Sequence, residues 1–403
     1  MLTRYKALIT LLIFPAAVSA QILTAEDSLT AGLNPLTNNK IILSGYGEAR
    51  YTQNFASKKA EANLTRAVLF LGYRFNEKLT LFTETEFEDA KIDADGGEVA
   101  LEQAYIKFDV TRNTHIDAGL FIPRIGIINE NHLPTTFCSN DRPVVETYVI
   151  PSTWREIGIN LNGNFKNLSS LNFSVAILNG LNAEEFNLDK GIREGRYEGR
   201  EASARNKAVT ASLLYYAGNL RVQASMYYGG SFGEDDKTAD RLDLSTGFFG
   251  TPVWLNELNV QYRYKGISLK ALAAVINIPD ADKINAAFAN NTPEQIFGTY
   301  GEIGYDVLHS FRKEKKLIVF GRYEYVDMNN KIPDNGVENE FFTQNHVFAG
   351  LAFLPASGVI VKADYHFVST GAYNSLLIVN PDPYAAELKT TQNYFNLGIG
   401  YSF

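Results

Sequence analysis

Hydrophobic and polar residues alternate with a period of two along most of this chain, from about residue 41 to its last residue. That is the period of a β-strand, whose successive side chains leave opposite faces of the backbone. The final segment shows it best: Phe395, Leu397, Ile399, Tyr401 and Phe403 fall on one face, and Tyr394, Asn396, Gly398, Gly400 and Ser402 on the other. Upstream, Leu79, Leu81, Thr83, Thr85 and Phe87 oppose Thr80, Glu84, Glu86 and Glu88. Leu258, Val260, Tyr262 and Tyr264 oppose Glu257, Asn259, Gln261 and Arg263, and Val361, Ala363, Tyr365 and Phe367 oppose Lys362, Asp364 and His366.

The pattern predicts about sixteen strands, near 41–52, 61–75, 78–90, 97–110, 114–122, 153–163, 169–178, 203–216, 219–229, 254–265, 267–277, 298–308, 315–327, 342–354, 358–368 and 391–403. Their connections alternate in length. Short links fall near 76–77, 112–113, 164–165, 218–219, 265–266, 310–314 and 355–357; long ones fall near 53–60, 91–96, 123–152, 179–202, 230–253, 278–297, 328–341 and 369–390. An even strand count with short turns at one end and long loops at the other is the layout of a bacterial outer-membrane barrel. The apolar face of each strand would then meet outer-membrane lipid and the charged face a lumen.

Composition supports that choice over a helical membrane protein. The 403 residues include 22 Tyr, 26 Phe and 31 Gly, yet mean hydropathy is slightly negative. No stretch after the N-terminus reaches the ~18 apolar residues of a spanning helix, so a membrane-inserted chain must satisfy its backbone as a closed barrel. Residues 1–20 read as a signal peptide: Arg4 and Lys6 precede an apolar run, and Val18-Ser19-Ala20 offers small residues for cleavage. Residues 21–40 read as a short periplasmic arm and 41–403 as the barrel. The net charge of −8 argues against nucleic acid, and the lone Cys138 cannot form an internal disulfide. Phe403, a terminal aromatic on an alternating strand, suits recognition by the barrel-assembly machinery.

Candidate chemistry concentrates in the third long loop, 123–152. Thirty irregular residues call for a functional reason, and Ile125, Ile127, Ile128, Leu133 and Phe137 suggest that they pack inside the barrel. Arg124, Glu130, His132, Asp141, Arg142 and Glu146 are the candidate constriction residues. The lumen wall would carry Arg50, Arg66, Glu84, Glu86, Glu88, Arg263, Arg322, Glu324, His346, Lys362, Asp364 and His366. In a mixed-charge eyelet Arg124 and Arg142 would face Glu84, Glu86 and Glu88, so that the field orients polar solutes. The alternative is a set of lumen charges paired among themselves, with Arg66 opposite Glu86 or Glu88. His346 and His366 lie nearly equidistant from one turn and read as polar lumen residues rather than metal ligands. No Ser/His/Asp spacing, phosphate loop or Cys/His cluster points to an enzyme, a metal or a cofactor.

Around this loop the chain resembles the phosphate-selective porin O/P family. Gly119-Leu120-Phe121-Ile122-Pro123-Arg124-Ile125-Gly126 is similar to the family's entry into the third loop. Asp141-Arg142 with Trp154-Arg155-Glu156-Ile157-Gly158 is similar to its exit, and Gln103-Ala104-Tyr105 to the preceding strand. The resemblance implies a homotrimer of sixteen-stranded barrels with an inward-folded third loop. Ile122 stands where that family has a lysine, so phosphate selectivity is not carried over.

The expectation is an all-β transmembrane antiparallel barrel in the outer membrane, a porin passing ions and small polar solutes, phosphate-like anions among them. The alternative expectation is a surface-binding or adhesion barrel without an open channel.

Overall fold

The computed structural model describes residues 40–93, 96–165, 168–311, 314–374 and 389–403. Sixteen antiparallel strands close into one barrel in which each strand pairs with its sequence neighbours and the first pairs with the last. They are β1 (Ile41–Asn54), β2 (Lys59–Arg74), β3 (Leu79–Asp93), β4 (Gly96–Asp109), β5 (Thr114–Phe121), β6 (Glu156–Phe165), β7 (Leu168–Asn179) and β8 (Lys207–Ala217). The second half comprises β9 (Leu220–Gly230), β10 (Pro252–Tyr264), β11 (Ile267–Asn277), β12 (Gln295–Asp306), β13 (Lys316–Lys331), β14 (Thr343–Ala356), β15 (Val359–Thr370) and β16 (Thr391–Ser402). The signal peptide and all of the N-terminal arm but Lys40 lie outside the described residues.

The alternation read from sequence becomes an alternation of burial. Along β10, Val253, Leu255, Glu257, Asn259 and Gln261 are buried, while Trp254 and Leu258 are exposed. The outward face is apolar at Leu43, Ile159, Ile303, Leu351, Leu397 and Ile399. Closure leaves no free sheet edge. Its seam runs from Tyr46↔Ser402 to Asn54↔Tyr394, and Gly45 and Phe403 exchange backbone hydrogen bonds of 3.1 and 2.9 Å beside it. At the Lys265-Gly266 hairpin both residues have positive φ, +46° and +84°, the conformation of a two-residue primed turn.

Two of the expected long loops are tight connections. Gln53 and Asn54 still pair with Ala60 and Lys59, so β1 and β2 are joined by 55–58, and β3 and β4 pair as far as Asp93 and Gly96. Two short helices, α1 (Asp236–Leu242) and α2 (Ala281–Phe288), occupy segments read as loops. Each is too brief to show several turns of helical periodicity, and Asp235 caps α1 by accepting from Lys237 N and Thr238 N.

The largest apolar cluster lies on the buried side of the barrel wall. It joins Ile42, Phe70, Phe82, Tyr105, Leu255 and Tyr300 of the strands to Ile125, Val145, Ile150 and Trp154 of segment 122–155. Leu181, Phe186 and Ile192 of segment 180–206 belong to it as well. A large apolar side chain leaving water contributes about 1.5–3 kcal/mol. An exposed ion pair contributes less than about 1 kcal/mol. Apolar burial is therefore the main anchor of both segments.

Candidate functional site

Segment 122–155 joins β5 to β6 and carries all six candidate constriction residues. It turns at Gly126, whose φ is +81° and where a Cβ would meet Glu146 Oε2 at 2.7 Å. Only glycine combines that backbone with so close an approach. The Glu146 carboxylate accepts from Ile127 N and Ile128 N at 2.5 and 2.7 Å and from the Tyr300 hydroxyl at 2.6 Å. Burial pushes its pKa up against those hydrogen bonds. Glu146, expected to face a passage, instead ties two limbs of the segment to each other and to β12. It satisfies backbone N–H groups that would otherwise be buried without partners.

Other contacts hold the segment to side chains around the wall. Asn140 donates from its backbone N and from Nδ2 to Asp364 at 2.7 and 2.6 Å, and Val145 N donates to Glu324 at 3.0 Å. Lys362 Nζ reaches Ser139 O at 3.0 Å, and Gln223 reaches Gly126 O at 3.2 Å. Arg322 donates to Asp141 O at 3.3 Å and to the Ser139 hydroxyl, pairs with Glu324 at 2.8 Å and Glu302 at 3.4 Å, and lies over the Phe348 ring. Asp141 pairs with Arg50. Arg322, Glu324, Lys362 and Asp364, read as lumen charges, thus anchor backbone and side chains of this segment.

The wall acids of the expected eyelet have partners from the wall and from another loop residue. Arg66 bridges Glu48 at 2.9 Å and Glu86 at 2.8 Å, because its strand register sets it opposite Glu88 and diagonal to Glu86. Glu84 accepts from Gln103 at 2.6 Å and lies 3.5 Å from His132 Nε2. Glu102 Oε2 lies 3.6 Å from the same nitrogen. Burial would lower the His132 pKa, but Glu102 and Glu84 outweigh it and raise the imidazole to about 9. Arg124 stands 3.7 Å from Glu130, which also pairs with Arg221. The eyelet is corrected accordingly: His132 meets Glu84, Arg66 meets Glu86, and only Arg142 of the two loop arginines shares a cavity with Glu88.

That cavity, of about 570 Å³, lies between segment 122–155 and the wall formed by β1, β2 and β14–β16. Arg50, Arg66, Arg142, Arg193 and Lys362 line it against Glu48, Glu88 and Asp141, so cations exceed acids five to three. Arg142 Nε and Nη2 have no hydrogen-bond partner among the described residues. Burial and the Arg66 charge lower the pKa of Arg142, which remains a cation at neutral pH. His346 and His366 also line the cavity. Their rings share a 3.1 Å hydrogen bond, and His366 stacks on Phe348 with centroids 3.8 Å apart. Arg263, expected on the lumen wall, is exposed near a short turn and is not among the cavity-lining residues.

The sequence reading passed over Glu102, Tyr46 and Arg193. Glu102 sits at a β-bulge: Glu84 pairs with Gln103 and Thr85 with Leu101, so Glu102 is the extra residue that strict alternation cannot place. Arg193 comes from segment 180–206 and donates to Thr147 O at 2.9 Å.

No family model matches the chain. A protein of Aquifex aeolicus (strain VF5), described as uncharacterized, is 30% identical over 357 residues, spanning 83% of this chain and 78% of that protein. The chain belongs to that protein's family. Among solved structures, Salmonella typhi OmpF in complex with daunomycin matches with a TM-score of 0.57 and 14% identity over 91% of this chain and 98% of that one. The anion-selective porin from Comamonas acidovorans matches at 0.52 and 11% over 90% and 99%, and the outer membrane channel DcaP of Acinetobacter baumannii at 0.51 and 14% over 90% and 97%. At such identities the likeness is one of fold, and it places the family on a porin-like sixteen-stranded barrel. The phosphate-selective O/P resemblance finds support at that coarser level.

Proposed function

We propose that this chain is an outer-membrane porin through which ions and small polar solutes diffuse passively, with a preference for anions. The observation that carries this reading is the cavity of about 570 Å³, lined by five cations and three acids and enclosed by a barrel with an apolar exterior. An apolar exterior suits lipid, and a charged interior suits hydrated ions. Segment 122–155 acts in this reading as the inward-folded third loop, leaving the passage along β14–β16, β1 and β2. Arg142, whose Nε and Nη2 lack partners among the described residues, is the cation at the narrowing. Export by residues 1–20, insertion through Phe403 by the assembly machinery and a homotrimer complete the proposal, the trimer resting on the O/P-like resemblance.

Reversal potential in a planar bilayer under a salt gradient tests it. The wild type should conduct with anion preference, and Arg142→Ala should move the reversal potential toward cations. Conduction with no change in selectivity would remove Arg142 from the passage. A second reading, a surface-binding barrel without an open channel, draws on Phe186, Leu181 and Ile192, which fill part of the interior from segment 180–206. A folded protein that never conducts would establish that reading instead.

A further inference from the structure

Beneath the third loop lies a buried cluster that the channel does not need. His132 is 2% exposed, and its Nε2 lies 3.5 Å from Glu84 Oε1 and 3.6 Å from Glu102 Oε2. Ligand-capable atoms of the three residues all fall within 4.8 Å of one another. Metal–ligand bonds of about 2.0–2.1 Å at tetrahedral angles separate neighbouring donors by about 3.4 Å, so the two gaps from His132 are those of atoms sharing one ion. The carboxylates are also oriented from outside. Tyr46 donates its hydroxyl to Glu102 Oε2 at 3.0 Å, and Gln103 Nε2 donates to Glu84 Oε2 at 2.6 Å. Such outer contacts are how proteins aim metal-binding carboxylates.

Two observations mark the cluster as incomplete. Glu102 is fully buried, yet its Oε1 has no hydrogen-bond partner among the described residues. Neither has His132 Nδ1. A buried carboxylate oxygen left without a donor is costly, and the bulge that turns Glu102 inward is a local distortion of the ladder. A divalent ion held by both oxygens of Glu102 would neutralise the two carboxylates and occupy the free lone pair of Oε1.

We propose that Glu84, Glu102 and His132 bind a transition-metal ion of the zinc class, clasping the third loop to β3 and β4. One imidazole with two carboxylates suits such an ion better than calcium or magnesium, which favour all-oxygen shells. The clasp joins Glu84 and Glu102 of the wall to a loop residue thirty positions beyond Glu102 in sequence. None of the three lines the Arg142 cavity, so a protein that conducts but binds no metal refutes the clasp and leaves the porin reading intact.

The test uses the full-length, detergent-extracted protein, stripped with chelator, incubated with Zn²⁺ and dialysed. Elemental analysis should find one Zn²⁺ per chain, with His132→Gln and Glu102→Gln each losing it. Tyr46→Phe, which keeps all three ligands, should weaken binding by roughly tenfold. Co²⁺ added to the wild type should give visible ligand-field absorption that Zn²⁺ abolishes. This readout stands even where a ligand variant fails to fold by heat-modifiable gel migration. Zinc retained equally by wild type and folded His132→Gln protein, or no absorption with Co²⁺, would overturn the clasp and leave His132 as an imidazolium between two acids.

Discussion

At the residue scale, what distinguishes the charged groups is whether they hold the third loop or face the cavity. Glu146 belongs wholly to the first kind. Glu146→Ala should leave the Ile127 and Ile128 amides and the Tyr300 hydroxyl buried without an acceptor, at about 1–3 kcal/mol for each group. The expected outcome is a folded barrel with a lower thermal midpoint and flickering single-channel current; a steady, wild-type trace would show that the apolar contacts suffice. Gly126→Ala reaches the same contact from the other side, through a +81° φ and a Cβ 2.7 Å from Glu146 Oε2. It should lower the midpoint too, and combining it with Glu146→Ala should cost less than the sum of the two, because they disrupt one contact. Arg142 is of the second kind, and substituting it should change selectivity while leaving the thermal midpoint nearly unmoved.

At the scale of elements, the strands were legible because their outward faces need apolar residues at every second position. β11 (Ile267–Asn277) coincides with the segment read from periodicity, and β14, β15 and β16 lie within two residues of theirs. The bulge in β4 was not legible, since a single unpaired residue leaves the composition of both faces unchanged. That is why Glu102 escaped notice although Glu84 and His132 were both named. The site was legible in its parts but not in its pairing: a sequence shows that Arg66, Glu84, Glu86 and His132 are polar and adjacent to a lumen, and only register decides which of them meet. Segments near 53–60 look like loops because these strand ends are polar on both faces. Deleting one residue beside the bulge, Gln103 or Glu102, should restore strict alternation in β4 and reverse the facing of everything on one side of it. The expected result is failed assembly, seen as loss of heat-modifiable migration.

At the scale of the whole molecule, two connecting segments share one apolar cluster with the wall, and a cavity of about 570 Å³ remains between the first of them and β1, β2 and β14–β16. Segment 180–206 braces segment 122–155 through Arg193 to Thr147 O at 2.9 Å and through Phe186 and Ile192. Arg193→Ala removes a cavity cation and a brace together. It should weaken anion preference in the same direction as Arg142→Ala and also raise current noise, a pairing that Arg142→Ala should lack. Both effects are read from one bilayer recording.

The cavity is also where the chain meets itself. The cavity draws Glu48, Arg50 and Thr52 from the first strand and Gln392, Tyr394 and Asn396 from the last, the two strands whose pairing completes the ring. Its lining therefore comes into being only when the two chain ends zip together. A half-assembled intermediate, open along that join, has no finished conduit to leak through. If the proposed porin reading holds, ion flow through this molecule doubles as a certificate of complete folding.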